Sequence, residues 1–130
     1  EAMSRALAPG GIYVLGLHLT EYDDDRISRE RWVGRRGATE VVCNIQGWPP
    51  DRRRRMERVR ARLRITERGH TRGLESHWTF RTYSLRQLRA LLRRVPELEH
   101  VATYTFDCDV DRPIPFDGER LDNILILRRR

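Results

Sequence analysis

The feature that most constrains the fold is an apolar run, Ile12–Thr20, which directly follows a Pro9-Gly10-Gly11 break. Residues 1–8 are typical of the last turns of a helix, which proline and glycine stop. A strand that is apolar at nearly every position is expected to be buried on both faces, like an interior parallel strand covered by helices. Parallel neighbours need crossover connections, and no strand precedes this one in the sequence. We therefore predict the second half of an α/β domain.

Composition favours one folded domain. Of the 130 residues, 38% are apolar; no apolar run reaches the length of a membrane span, and no signal peptide is visible. Cys43 and Cys108 have no metal-ligand spacing, so we expect two free thiols and no metal site. The expected location is the cytoplasm, with no membrane partner.

The net charge of +7 comes from 26 basic residues, all of them arginine. A nucleic-acid-binding surface ordinarily mixes lysine with arginine, because lysine serves phosphate well as a point charge. An arginine-only set is more typical of codon bias in the genome and argues against a nucleic-acid partner. The runs Arg52–Arg55 and Arg128–Arg130 are expected to be solvated.

The middle of the chain has the pattern of antiparallel strands. The segment Ile27–Gly37 has an unclear period and is assigned a short helix. Three predicted strands follow it: Thr39–Trp48, Arg58–Ile65 and Leu74–Tyr83. We predict that they form a three-stranded antiparallel insert over residues 39–83, with one apolar face and one wet face.

The second of these strands alternates strictly between apolar residues and arginine. The apolar positions are Val59, Ala61, Leu63 and Ile65, and the arginines are Arg58, Arg60, Arg62 and Arg64. This is the period of a half-exposed strand. A helical interpretation leaves Ala61 and Ile65 off the apolar stripe, so the strand is favoured. The arginine face also supports an alternative function, a nucleic-acid-binding or nucleic-acid-modifying domain.

The clearest local signal is a helix that begins after Ser84. Ser84 and Gln87 form a capping box, and Tyr83 and Leu88 are placed as a hydrophobic staple. Pro96 ends the helix. The apolar stripe consists of Leu85, Leu88, Leu91, Leu92 and Val95. Two strands, His100–Phe106 and Asp122–Leu127, complete the pattern.

Three segments together resemble the C-terminal half of a class I S-adenosylmethionine-dependent methyltransferase. Leu7–Leu15 is similar to the fifth-strand motif of that family, and Arg81–Leu88 with Leu91-Leu92 is similar to the lead-in to its last helix. Val101–Phe106 with Ile124–Leu127 is similar to its terminal antiparallel hairpin. The resemblance covers nearly the whole chain. It implies a Rossmann-like sheet divided into a buried strand and loop (1–38), a lid (39–83), and a last helix and strand hairpin (84–130).

One part of the family pattern has no counterpart in the sequence. The glycine-rich cofactor loop and the acidic residue that holds the ribose are both missing, and Gly10-Gly11 precedes a strand instead of a helix. The resemblance implies S-adenosylmethionine as the cofactor of a full-length protein, whereas this chain alone is expected to bind none and to be inactive. A non-catalytic α+β interaction module is the remaining alternative.

The expected site lies at the carboxyl end of the first strand, where open α/β sheets bind ligands. His18 interrupts the apolar strand, and a buried imidazole needs a partner. It is the candidate catalytic residue, which would orient or deprotonate the nucleophile of a small-molecule methyl acceptor. The alternative is a hydrogen-bonded core histidine. The candidate substrate-binding residues are Glu21, Tyr22, Trp32, Trp78, Arg81 and Tyr83.

Self-association is expected on similar grounds. The strand Ile12–Leu19 would lack a neighbour along one side and helices over part of its sheet. Such a surface is too apolar to stay exposed in a monomer. We therefore expect a homodimer formed through this edge or through the apolar face of the insert.

Overall fold

A computed structural model describes residues 2–130. The helices and strands, in chain order, are α1 Ala2–Ala6, β1 Ile12–His18, β2 Ser28–Arg36, β3 Thr39–Gly47, β4 Met56–Glu67, β5 His70–Arg81, α2 Leu85–Arg93, β6 Leu98–Tyr104 and β7 Asp122–Arg129. The strands form two separate sheets, and the chain divides into two compact units. None of the helices in residues 2–130 is long and apolar enough to cross a membrane.

The first unit joins the chain up to Glu21 with Tyr83–Arg130. Its three strands lie in the order β1-β7-β6, and both pairings are antiparallel. Leu85, Leu88 and Leu92 of α2 pack into the core of this unit, whereas Leu91 of the predicted stripe is exposed. Four leucines, each at most 2% exposed, form the centre of the core: Leu19, Leu88, Leu125 and Leu127.

Strand β1 differs from the prediction, because only one of its faces is buried. Tyr13, Leu15 and Leu17 pack against the leucine core, whereas Ile12 and Val14 are exposed. β1 pairs only with β7, and its other edge has no partner strand within residues 2–130. The expectation of burial on both faces is wrong for this chain, since burying the second face requires a covering layer that the described residues do not supply.

Helix α2 begins where the capping box predicted. The Ser84 hydroxyl accepts a hydrogen bond from the Gln87 amide at 3.4 Å, and the Gln87 side-chain oxygen accepts one from the Ser84 amide at 3.0 Å. Leu88, one turn into the helix, is buried. Local sequence therefore determines the start of this helix and the direction of its apolar face.

The second unit, Tyr22–Thr82, is a four-stranded antiparallel sheet in the order β2-β3-β4-β5. β2 occupies most of the segment for which a short helix was predicted, so that prediction is wrong and the sheet has one strand more than the predicted insert. Gly37, with φ of 55°, lies in the turn that returns the chain from β2 to β3. All nine residues of β2 are exposed, which explains why its sequence shows no apolar period.

The two faces of this sheet differ strongly in chemistry. The register aligns Trp32, Cys43, Leu63 and Leu74 in one cross-strand row, on what we call the apolar face. The adjacent row, on what we call the polar face, consists of Arg31, Asn44, Arg62 and Glu75. Val59 is 6% exposed, whereas its neighbour Arg58 is exposed. The predicted alternation of β4 is confirmed.

Candidate functional site

The carboxyl end of β1 places a histidine beside a carboxylate. His18 is the last residue of β1 and lies opposite Asp122, the first residue of β7. Nδ1 of His18 is 2.8 Å from Oδ1 of Asp122, and the two side chains are 54% and 55% exposed. Because a carboxylate only accepts hydrogen bonds, Nδ1 carries the proton and donates it, which leaves Nε2 as an acceptor. This is the arrangement of an oriented base, and the alternative of a core histidine is wrong because the imidazole is exposed.

The same corner of the first unit contains two further predicted residues. The backbone amide of Thr20 donates to the carbonyl oxygen of Tyr83 at 2.9 Å, which holds the end of β1 against the start of α2. The Tyr83 side chain packs against the leucine core, whereas Glu21 is exposed. The structure thus brings Glu21 and the Tyr83 backbone to the end of the strand that carries His18.

Tyr22 and Arg81 belong to the second unit. The Tyr22 hydroxyl lies 2.8 Å from Oγ1 of Thr82, and the Arg52 guanidinium lies 5.8 Å from the centroid of the Tyr22 ring. Nη1 of Arg81 donates to the backbone carbonyl of Arg54 at 3.1 Å. Within residues 2–130, Arg81 forms no ion pair with a carboxylate, so its charge is not neutralised by the chain itself.

Trp32 and Trp78 lie on the apolar face but on opposite edge strands. Trp32 is 56% exposed on β2. Trp78, on β5, is half-buried and packs edge-on against Phe80, with ring centroids 6.1 Å apart. Two strands lie between β2 and β5, which amounts to roughly 14 Å at the usual strand spacing. The structure does not bring the two tryptophans together in one wall.

Sequence reasoning missed Asp122, which was assigned only as the start of the last strand. A signal was available, because both β1 and β7 were predicted. In the register that the structure has, the antiparallel pairing of these two strands places Asp122 opposite His18. The choice of that register needed the tertiary structure, since the two residues lie at opposite ends of the sequence.

The polar face holds a strongly stabilised carboxylate. The Arg62 guanidinium donates to Glu75, and Nε2 of His77 lies 2.7 Å from Oε1 of the same side chain. These two contacts, the Arg62 contact foremost, lower the pKa of Glu75 to about 2. Glu75 therefore keeps its negative charge well into the acid range and neutralises one of the arginines of this face.

Neither the glycine pair nor the start of α2 has the geometry of a cradle for S-adenosylmethionine. Gly10, with φ of 77°, donates its amide to the carbonyl of Arg129, and the Gly11 amide donates to Ala8. These bonds form a closed turn ahead of a strand, whereas a cofactor cradle needs open amides at the start of a helix. Helix α2 begins instead with the closed cap of Ser84.

The part of the chain that the structure describes lacks a cluster of side chains that could bind a metal ion. No group of three or more histidine, cysteine, aspartate or glutamate side chains is arranged there to hold a metal ion. Cys43 and Cys108 are free thiols, the first half-buried and the second exposed.

No protein-family model matches the chain, and no curated protein sequence matches it. The solved structures that are similar to it include two methyltransferases. One is S-adenosylmethionine-bound CalS10, an amino pentose methyltransferase from Micromonospora echinaspora involved in calicheamicin biosynthesis; it is 16% identical, with a TM-score of 0.60 over 99% of this chain and 48% of that one. The other is an S-adenosylmethionine-dependent methyltransferase from Clostridium acetobutylicum, 10% identical, with a TM-score of 0.67 over 98% of this chain and 48% of that one. The chain thus shares a fold with about half the length of each.

Proposed function

We propose that this chain is the acceptor-side half of an S-adenosylmethionine-dependent methyltransferase that acts on a small molecule. The observation that carries the proposal is the similarity of nearly the whole chain to about half of two such enzymes. In the proposal, a cofactor-binding half pairs with the free edge of β1 and covers Ile12 and Val14, completing a Rossmann-like sheet. Ile12 and Val14 are apolar side chains that this chain leaves exposed, which supports that assignment.

In this proposal His18 is the catalytic base. Nε2 of His18 takes the proton that the acceptor's nucleophile loses when it is methylated, and Asp122 keeps the imidazole in the tautomer that leaves Nε2 free. A positioned base of this kind contributes roughly 10²- to 10⁴-fold in rate. The exposed Glu21 side chain would contact the acceptor. Tyr83, whose ring packs against the leucine core, would position the end of β1 through its backbone bond to Thr20, since methyl transfer depends mainly on positioning.

The second unit is the proposed lid over the acceptor. Tyr22, Trp32, Trp78 and Arg81 are its proposed contact residues, and the unneutralised charge of Arg81 suits an acceptor with a carboxylate. The enzyme is proposed to be cytoplasmic. The free thiols of Cys43 and Cys108 support a reducing compartment.

The test uses a polypeptide that carries this chain together with a cofactor-binding half. Calorimetry should show one site for S-adenosylmethionine on that polypeptide and no heat with this chain alone. A one-to-one isotherm with this chain alone would contradict the proposal that a separate half of the enzyme binds the cofactor. In the longer polypeptide, His18→Gln should lower the rate of methyl transfer and leave cofactor affinity unchanged. An unchanged rate would remove His18 from the mechanism.

We also propose that the apolar face of the second unit pairs with a second copy of the chain. Trp32, Leu74 and Phe80 are each about half exposed there, and several large apolar side chains exposed on one face are unusual in a soluble monomer. A two-fold dimer is the simplest closed assembly that covers the same patch on both copies.

Light scattering tests the dimer directly. Leu74→Glu places a charge within the patch and should give a monomer. The matched control is Val110→Glu, which adds the same charge at a residue that is 73% exposed in the first unit. A monomeric unsubstituted chain, or equal dissociation by both variants, would contradict the proposed interface.

A further inference from the structure

The polar face of the second unit contains a cavity of about 300 Å³ over strands β2, β3 and β4. The register aligns two neighbouring cross-strand rows beneath it. In each row an arginine of β2 lies opposite a side-chain amide of β3, which lies opposite an arginine of β4. The rows are Arg29, Gln46, Arg60 and Arg31, Asn44, Arg62. Glu30 and Ile45 also line the cavity, at positions that alternate toward the other face.

Three of these four arginines form no ion pair with a carboxylate among the described residues. Arg62 is paired with Glu75. Arg31 donates to the neutral Oδ1 of Asn44 at 3.1 Å, and Arg60 donates to the neutral Oε1 of Gln46 at 2.7 Å. The four arginines lie on two strands that flank β3 and bring only one ion-paired carboxylate with them, so this face carries an excess of positive charge that is expected to attract an anion.

Arg60 is already held in place. Besides its bond to Gln46, its guanidinium lies 5.5 Å from the centroid of the Trp48 ring. Arg58, on the same strand, lies 5.2 Å from the same ring. An arginine fixed on an aromatic ring loses less conformational freedom when it binds a ligand than a free one does. The same contact makes Trp48 an optical reporter of the cavity.

The geometry favours phosphate over carboxylate. The two oxygens of a planar carboxylate are satisfied by a single guanidinium fork. The arginines here approach from both sides of β3, so they suit a tetrahedral group whose oxygens point in several directions. The side-chain oxygens of Asn44 and Gln46 accept from arginine, which leaves their NH₂ groups as further donors.

We propose that this cavity binds the phosphate or diphosphate group of a small-molecule ligand. The arginines of β2 and β4 hold the group from opposite sides, and the two amides donate from β3. All of these residues lie in the second unit, so the inference goes beyond the proposed methyl transfer and does not depend on it.

The probe for the test is inorganic pyrophosphate, followed by calorimetry and by tryptophan fluorescence. Arg31→Gln and Arg60→Gln should each weaken binding by about ten-fold, the usual loss for a charge-assisted hydrogen bond. The control is Arg86→Gln, which removes an equal charge from an exposed position on α2 and should leave binding unchanged. Arg31 is exposed, so Arg31→Gln keeps the test available if Arg60→Gln fails to fold.

Three results would overturn the proposal. The first is the absence of both heat and a fluorescence change with pyrophosphate. The second is equal weakening by Arg86→Gln, which would mean that net charge alone attracts the anion. The third is tighter, steeply salt-dependent binding of a single-stranded oligonucleotide, which would identify the face as a nucleic-acid surface.

Discussion

Nδ1 of His18 lies 2.8 Å from Oδ1 of Asp122, across the antiparallel pairing of the first strand with the last. This contact predicts that neutral His18 carries its proton on Nδ1. Asp122→Ala removes the acceptor and should shift the imidazole to the Nε2-protonated form that is usual in solution. The ¹⁵N shifts of the ring distinguish the two tautomers. Asp25→Ala, in the second unit, is the matched control and should leave the tautomer of His18 unchanged. If Asp122→Ala also leaves it unchanged, Asp122 does not determine which ring nitrogen carries the proton.

The cap of α2 makes a prediction about stability. Ser84→Ala removes the hydroxyl that accepts the Gln87 amide, and it should lower the free energy of unfolding by about 1 kcal/mol. Urea denaturation measures the loss. Ser76→Ala, at an exposed position on β5, should change the midpoint little. Equal effects of the two substitutions would mean that the cap does not stabilise the helix.

The two faces of β4 should respond differently to substitution. Val59→Thr keeps the shape of a buried side chain but adds a hydroxyl, which should cost about 2 kcal/mol if the hydroxyl finds no partner. Arg64→Gln, on the exposed side, should change the free energy of unfolding by less than about 0.5 kcal/mol. Thermal denaturation compares the two, and equal tolerance at both positions would contradict the observed register.

The carboxylate of Glu75 predicts a pH dependence. Its folded pKa of about 2 lies below the ordinary value of 4.5, so its contribution to stability is present above pH 4.5 and is lost as pH falls toward 2. Arg62→Gln removes the main cause and should raise the pKa of Glu75 toward 4.5, as measured by carboxyl ¹³C chemical shifts. Arg64→Gln should leave that pKa nearly unchanged. A pKa that stays near 2 without Arg62 would assign the effect to another group.

The sequence correctly predicted the helix and the strand whose signals lie within a few neighbouring residues. The capping box at Ser84 predicted the start of α2, and the alternation around Val59 predicted β4. β2 was missed because a strand exposed on both faces has no apolar period to detect. For such a strand the turn at Gly37 and the pairing with β3 decide the structure, and neither appears as periodicity.

The candidate site was less accessible to sequence reasoning. An apolar run shows that β1 can be buried on two sides, but it does not show whether this chain supplies both covering layers. The contact between His18 and Asp122 depends on the register of two strands that are distant in sequence. The cavity lined by Arg29 and Arg60 depends likewise on β2, the strand that the sequence did not indicate.

The strict alternation of β4 has a consequence for how the second sheet folds. β4 pairs with β3 on one side and β5 on the other. A slip of one residue against either neighbour would turn its arginines onto the apolar face and expose Val59 and Leu63 instead. A guanidinium placed at a buried position such as that of Val59 would lose its hydration without gaining a partner. The arginines thus disfavour a shifted register along the whole strand. This holds even for an arginine such as Arg64, which forms no ion pair with any described residue in the folded state.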